Sequence, residues 1–390
     1  MPAPLRVTML SGDFYPDQIG GQGIYAFEIA ARVAAAGHII TVVCPDAGGR
    51  ARHDYPPGLT VRRLPKRAAN PLIFSARATT ERNALLSSTD VLHVNELFGF
   101  PLAVRTPGER HGIVISSHNA YLDRFHAAKG LKKLKYPPLI ALERLSYPRA
   151  DRVIIGSEIE REPVLRLGVE ADRVVAIPYG VDRARFSDDG TLRRDTRARL
   201  GIPRDAPVVL FVGRFVERKK AHVVASALRV LRERDPSVHG ILVGDGETMD
   251  RVRAAAGADP AIHMVGSVAF SDLPAYYAAA DAFTLPSVGE GSISLVVLEA
   301  AAAGLPLVLT ADSCGGSLVF ESGKNGELVL LDDARGLSSA LRVALSQRVA
   351  YGRRSRDIVE RHFSWDACAR ATVQVYLDAR SARDARKSSS

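Results

Sequence analysis

The chain has 390 residues, 46% hydrophobic and 24% charged, which is ordinary for a soluble globular protein and long enough for two domains of about 150–200 residues each. No stretch reaches the roughly 18 apolar residues that a membrane-spanning helix needs. The formal net charge of +9 favours anionic ligands or surfaces. The three cysteines, Cys44, Cys314 and Cys368, are odd in number and far apart, without metal or disulfide spacing. With an N-terminus that carries no signal-peptide profile, a reducing cytoplasm fits best.

Residues 5–10 read as a strand, 11–23 as a loop holding Gly20-Gly21-Gln22-Gly23, 24–36 as an amphipathic helix, and 39–44 as the next strand. This unit opens a parallel α/β sheet. Its loop is not GxGxxG, although glycines there let the backbone approach a ligand closely. Strands follow at 91–94 and 113–116. Ser117-His118-Asn119 lies just past the second, where open α/β sheets carry their ligands. His118 there can bond a sugar or phosphate, or be structural.

Residues 129–149 hold Lys129, Lys132, Lys133, Lys135, Arg144 and Arg149 against Glu143 alone. Their interleaving with Leu131, Leu134, Tyr136 and Leu139 suits either an anionic lipid surface or a solvated face. Strands at 153–155 and 174–177 end the first half. Residues 183–206 are rich in charge, lack an apolar period, and read as an interdomain connection.

A second α/β series begins at 208–212, followed by Gly213-Arg214 and Lys219-Lys220, then a helix over 222–234. Strands at 240–243 and 262–265 end in Gly244-Asp245-Gly246 and Gly266-Ser267-Val268. Arg214 and Lys219, just past a strand end, can converge on a diphosphate or form a solvated basic loop. A buried strand at 283–285 leads through a polar loop, 287–291, to an apolar helix over 295–303. Ser292 or Ser294 can cap this helix, and its first free N–H groups, near Leu295, can hold a phosphate. Glu299 is the single charged group on the helix and needs a partner, either a ribose hydroxyl or a neighbour in the core. Strands at 307–309 and 328–330, a helix over 336–346 and a terminal helix over 365–382 complete the chain. The basic, serine-rich tail from 380 onward reads as frayed.

Taken together, these residues resemble retaining glycosyltransferases of the two-domain GT-B fold, specifically glycosyltransferase family 4 (group 1). The resemblance rests on Phe211-Val212-Gly213-Arg214 with Lys219, Leu242-Val243-Gly244-Asp245-Gly246-Glu247, Ala280-Asp281 with Leu285-Pro286-Ser287, and Leu298-Glu299-Ala300 with Gly304-Leu305-Pro306. In the first half it rests on Gly20-Gly21-Gln22-Gly23, Ser117-His118-Asn119 and Ile177-Pro178-Tyr179-Gly180. It implies an α/β protein of two Rossmann-like domains facing a cleft. Residues 1–182 would bind the acceptor and 183–364 the nucleotide sugar, while 365–390 would pack back on the first domain. It also implies metal-independent, retaining transfer from a UDP- or GDP-linked sugar to a glycan, lipid-linked or small-molecule alcohol, with no cofactor and no nucleic acid partner.

By carry-over, Arg214 and Lys219 hold the leaving diphosphate and Glu299 the ribose. Gly213, Gly244 and the Gly266–Val268 turn line the nucleotide, Gly20 and Gly21 close over it, and His118 meets the transferred sugar. Two alternatives share the fold: a sugar-nucleotide epimerase or phosphorylase, and a non-catalytic sugar-nucleotide binder. The sequence departs from the family in one telling place. The usual pair of glutamates stands eight apart, yet Gly291 is eight before Glu299 and Glu290 is nine before. Either Glu290 fills the first role across a longer loop, or that carboxylate is missing. Lys220 also replaces the usual glycine, and Tyr179 the usual asparagine.

Overall fold

The structure, a computed structural model, describes residues 3–16, 20–46, 54–65, 80–95, 111–118, 125, 136–188, 190–290, 293–314 and 318–388. The chain forms two compact units, Met1–Tyr179 with Trp365–Ser390, and Gly180–Ser364.

In the first unit, strands β1 (Arg6–Ser11), β2 (Ile39–Pro45), β3 (Leu59–Leu64), β4 (Val91–Asn95), β5 (Gly112–Ser117), β6 (Arg152–Ile155) and β7 (Val174–Ala176) pair in parallel. Their order is β3-β2-β1-β4-β5-β6-β7. Every residue of β4 and β5 is buried, as expected of a parallel sheet covered on both faces. Leu92, Ile113, Ile115 and Val153 pack with Tyr147 in one core. Helix Gly21–Ala35 and the terminal helix Trp365–Ser388 lie against each other, and the latter also covers β5.

The second unit repeats the plan with β8 (Val208–Val212), β9 (His239–Val243), β10 (Ile262–Gly266), β11 (Ala282–Leu285), β12 (Leu307–Leu309) and β13 (Gly326–Leu328). All pairs are again parallel, in the order β10-β9-β8-β11-β12-β13. Both sheets are of the doubly wound, Rossmann-like type. The order of strand addition reverses beside the first strand of each, between β1 and β4 and between β8 and β11.

Four expectations need correction. Residues 183–206 are not a loose connection: they hold helix Thr191–Arg199, which packs on helix Leu273–Ala279 of the second unit. The glycine-rich loop is shorter than its composition implies, because Gly20 is extended (φ −158°) and the helix already begins at Gly21. The tail is helical to Ser388, and Arg383 Nη1 reaches Asp90 Oδ1 at 2.8 Å. Tyr136 and Leu139 of the basic segment turn inward against the core, and only Pro137, Pro138, Ala141, Arg144, Leu145 and Arg149 are exposed on helix Tyr136–Ser146 and the turn after it. Residues 129–135 lie outside the described part. Among the described residues no helix is long and apolar enough to cross a membrane.

Candidate active site

The crevice outside the carboxyl ends of β8 and β11 is where a doubly wound sheet opens between strands of opposite winding. The local sequence places charge there. β8 ends at Val212, and the chain runs through Gly213 and exposed Arg214 into the short 3-10 turn Glu217–Lys219. β11 ends at Leu285, and Pro286 stops it and starts the loop that carries Glu290. Contacts among the described residues help to seat this loop: Val288 N–H donates to Arg218 O at 2.9 Å, Thr310 Oγ1 to Ser287 O at 2.6 Å, and Gly289 N–H to Asp312 Oδ2 at 3.4 Å. Gly289 has φ +66°, a left-handed turn that a β-carbon would strain.

The result is a compact charge cluster. Lys219 Nζ lies 2.8 Å from Glu290 Oε2, and Arg218 Nη1 lies 2.7 Å from Glu290 Oε1. The Lys219 and Glu290 side chains are 10% and 7% exposed, and that of Arg218 is 51% exposed. Burial alone would raise the Glu290 carboxyl pKa, but the charges of Lys219 and Arg218 outweigh it and hold the group below the ordinary carboxylate value. The Lys219 ammonium is also held below its ordinary value, first by burial, with Arg218 and Arg214 adding to the shift against Glu290. An isolated pair would move the two groups in opposite directions. Both move down here because burial outweighs Glu290 at the Lys219 ammonium, while the two cations Lys219 and Arg218 outweigh burial at the Glu290 carboxyl. Such a cluster is poised to take up further negative charge. The Arg214 side chain makes no hydrogen bond or ion pair among the described residues, so its fork is open to a phosphate.

Gly244, expected to line the nucleotide, sits against the chain itself: a β-carbon on it would fall 1.9 Å from Gly213 O. Its φ of +140° likewise favours glycine. The residue therefore packs the β9 loop onto the β8 loop that carries Arg214. Gly266 closes β10 in a left-handed turn, with Ser267 exposed and Val268 half-buried.

Helix Leu295–Ala302 is buried along nearly its whole length because its sequence is apolar on every side. Ser294 stands at its N-cap but makes no capping bond with its hydroxyl, and Leu295 begins the first turn. Gly291 and Ser292 lie outside the described residues. Glu299, 5% exposed, accepts a hydrogen bond from Tyr277 Oη at 2.8 Å. Burial pushes its carboxyl up to about 7, with the Tyr277 hydroxyl and the more distant Arg185 opposing. The folded protein therefore holds this proton more tightly than the unfolded chain does. Stability is lost as pH rises from the ordinary value of 4.5 through about 7, a penalty of about 3 kcal/mol once complete. Glu299→Gln is expected to unfold at higher temperature than the unaltered chain at pH 8, and at nearly the same temperature at pH 4.5. Thermal scans at the two pH values test it, and an equal shift at both would contradict the assignment.

In the first unit, His118 follows β5 and is held at both ring nitrogens, Nε2 by Asn95 Oδ1 at 2.6 Å and Nδ1 by Tyr179 Oη. Asn95 Oδ1 can only accept, so Nε2 carries the proton and the Tyr179 hydroxyl donates to Nδ1. Asn95 in turn donates to Ser11 Oγ at 3.0 Å. Tyr25 packs edge-on to His118. Gly20 N–H is tied to Asp13 Oδ2 at 3.1 Å, and Gly21 and Gly23 fall within the first turn of the helix.

The sequence reading sets Arg214 and Lys219 on the diphosphate and leaves Glu290 as one alternative for a separate contact to the sugar, whereas the second unit brings Lys219 and Glu290 into direct contact. It misses Arg218, whose only signal is its place in the charge run Glu217-Arg218-Lys219-Lys220. It also misses Tyr277, which reads as an ordinary core aromatic, and Asn95.

The fold and this charged switch point define a doubly wound, two-unit protein of the GT-B class. Comparison with known proteins agrees. The profile of Glycosyltransferase Family 4 matches residues 19–185, and that of Glycosyl transferases group 1 matches residues 206–347. A D-inositol 3-phosphate glycosyltransferase of Kineococcus radiotolerans is 29% identical, over 95% of this chain and 94% of its own. A GDP-mannose-dependent alpha-(1-6)-phosphatidylinositol monomannoside mannosyltransferase of Mycobacterium tuberculosis is 26% identical, over 93% of this chain and 96% of its own. Among solved structures, a sucrose-phosphate synthase from Thermosynechococcus elongatus superposes with a TM-score of 0.81 at 22% identity, covering 97% of this chain and 100% of its own. The chain belongs to glycosyltransferase family 4 and is a glycosyltransferase.

Proposed function

We propose that the protein is a retaining hexosyltransferase that moves a sugar from a nucleoside diphosphate to an alcohol without a metal ion. The observation that carries this reading is the cluster of Arg214, Arg218, Lys219 and Glu290 at the β8/β11 switch point. In sugar transfer the charge that develops sits on the leaving diphosphate, and fixed cations at that point lower the barrier. Arg214 grips the diphosphate as a bidentate fork and Lys219 as a point charge. The first N–H groups of helix Leu295–Ala302 add donors, and Glu299 takes the ribose. Glu290 meets the transferred sugar. The acceptor lies at the strand ends of the first unit, around His118, Asn95 and Tyr179. The family's same-face mechanism, with the donor phosphate receiving the acceptor proton, keeps the anomeric configuration.

The names of the two relatives make inositol-based alcohols the acceptors to try first and GDP-mannose one of the donors. The test is a matrix of UDP- and GDP-hexoses against inositol phosphate and phosphatidylinositol acceptors, with the product anomer read by NMR. Turnover is expected to survive EDTA undiminished. Activity that EDTA removes and manganese or magnesium restores would overturn the metal-independent reading, and an inverted anomer would overturn retention.

Peripheral contact with anionic membrane through residues 129–149 is part of the proposal, now resting on charge, because Tyr136 and Leu139 face the core. Flotation with phosphatidylglycerol vesicles is expected at low salt and not at high salt. No flotation at low salt would end that idea.

A further inference from the structure

Resting on the reading of the β8/β11 site as the diphosphate site, we infer that Glu290 is an internal counter-anion which the diphosphate displaces. In its paired position the carboxylate spans Lys219 and Arg218 with one oxygen on each, as a phosphoryl group would. The Lys219 side chain is 10% exposed and its ammonium is already bonded to Glu290 at 2.8 Å, so a diphosphate cannot reach that ammonium fully while Glu290 stays on it. Like charges on a carboxylate and a phosphoryl oxygen sharing one ammonium repel each other. The loop suits the exchange: Glu290 follows Gly289, in a left-handed turn, and among the described residues Ser287 O, Val288 N–H and Gly289 N–H are each held by a neighbour. The carboxylate can therefore swing without moving Ser287 or Val288.

Displacement has two consequences. The freed carboxylate becomes an acceptor for a hydroxyl of the transferred sugar, so its sugar contact forms only once the diphosphate is seated. After transfer, the return of Glu290 to Lys219 and Arg218 competes with the nucleoside diphosphate and hastens its release. The device also selects for two phosphoryl groups, since a monophosphate offers less charge with which to displace a carboxylate held by two cations.

The competing expectation is simple. If Glu290 touched the sugar alone, its removal would leave nucleoside diphosphate affinity unchanged. Competition predicts that Glu290→Gln binds the free nucleoside diphosphate about tenfold more tightly, the value of one charge-assisted contact, and releases it more slowly. The same variant should turn over the sugar donor more slowly, with a smaller gain in affinity for the nucleoside monophosphate.

Calorimetry with UDP, GDP and the matching monophosphates, and stopped-flow release of the diphosphate, test this. Equal or weaker diphosphate affinity in folded Glu290→Gln would overturn the exchange while leaving the diphosphate site intact. Failure of the unaltered protein to bind either UDP or GDP would overturn the site assignment itself. Should Glu290→Gln fail to fold by thermal scan, Glu290→Asp keeps the charge on a shorter arm. It is expected to tighten the diphosphate by a smaller factor, and no tightening there overturns the exchange as well.

Discussion

Lys219→Ala is expected to lower kcat by about 10²–10³-fold with little change in the acceptor KM. The ammonium is the most buried cation of the site, and a buried charge acts through a lower effective dielectric than an exposed one. Its loss removes a contact that strengthens as the leaving diphosphate takes up charge, and leaves Glu290 with Arg218 as its remaining cationic partner. Arg214→Ala should lose less, because its exposed guanidinium is screened by water. The order of the two effects separates a catalytic cluster from a solvated basic loop, in which both variants would keep near-normal rates. Circular dichroism and thermal scans show whether each variant is folded. Rates within threefold or so of the unaltered enzyme in folded Lys219→Ala would remove Lys219 from the leaving-group site.

Much of this site was legible in the linear sequence for one reason. In a doubly wound sheet the ligand-facing residues come just after the strands, and short apolar runs stopped by Gly or Pro mark where strands end. Val208–Val212 followed by Gly213, and Ala282–Leu285 followed by Pro286, give those positions directly. Glu299 was legible because a carboxylate in an otherwise apolar helix must be paired. Its partner was not, since Tyr277 lies in a helix whose aromatic positions look the same whether they fill a core or orient a carboxyl.

The misses share a physical cause as well. Apolar periodicity finds elements that bury hydrocarbon. Helix Thr191–Arg199 buries an arginine, helix Arg348–His362 is polar along most of its length, and β3 carries the adjacent pair Arg62-Arg63, so none shows the expected pattern. The early helix start at Gly21 was hidden by the glycines themselves, which read as loop, although Gly23 is buried in the first turn.

The second large effect lies at the opposite end of the same strands. Arg197, with a side chain 3% exposed, donates to Asp281 Oδ2 at 2.7 Å, to Ala279 O at 2.9 Å, and to the carbonyls of Arg204 and Ala206 at 2.8 Å each. Asp281 also accepts from Arg193 Nη2 at 2.7 Å and from Val208 N–H at 2.9 Å. One guanidinium therefore ties helix Thr191–Arg199 to the beginnings of β8 and β11, the two strands whose far ends carry the site. Removing one member of a buried, fully bonded ion pair costs about 3–5 kcal/mol, because the carbonyls and the carboxylate lose donors they cannot replace with water. Arg197→Met, which keeps the apolar stem, is expected to destabilise the second unit by that amount. Arg197→Lys should recover little of it, since an ammonium cannot reach carbonyls on several sides at once. Hydrogen exchange of the β8 and β11 amides reads this unit directly. Exchange should speed by about two to three and a half orders of magnitude, the factor that 3–5 kcal/mol allows. At low temperature, where the variant remains folded, diphosphate affinity should stay close to that of the unaltered protein, because Arg197 sits at the strand ends away from Lys219. Unchanged exchange in Arg197→Met would mean that the polar cluster contributes no net stability and that helix Thr191–Arg199 is held by its packing on helix Leu273–Ala279 alone.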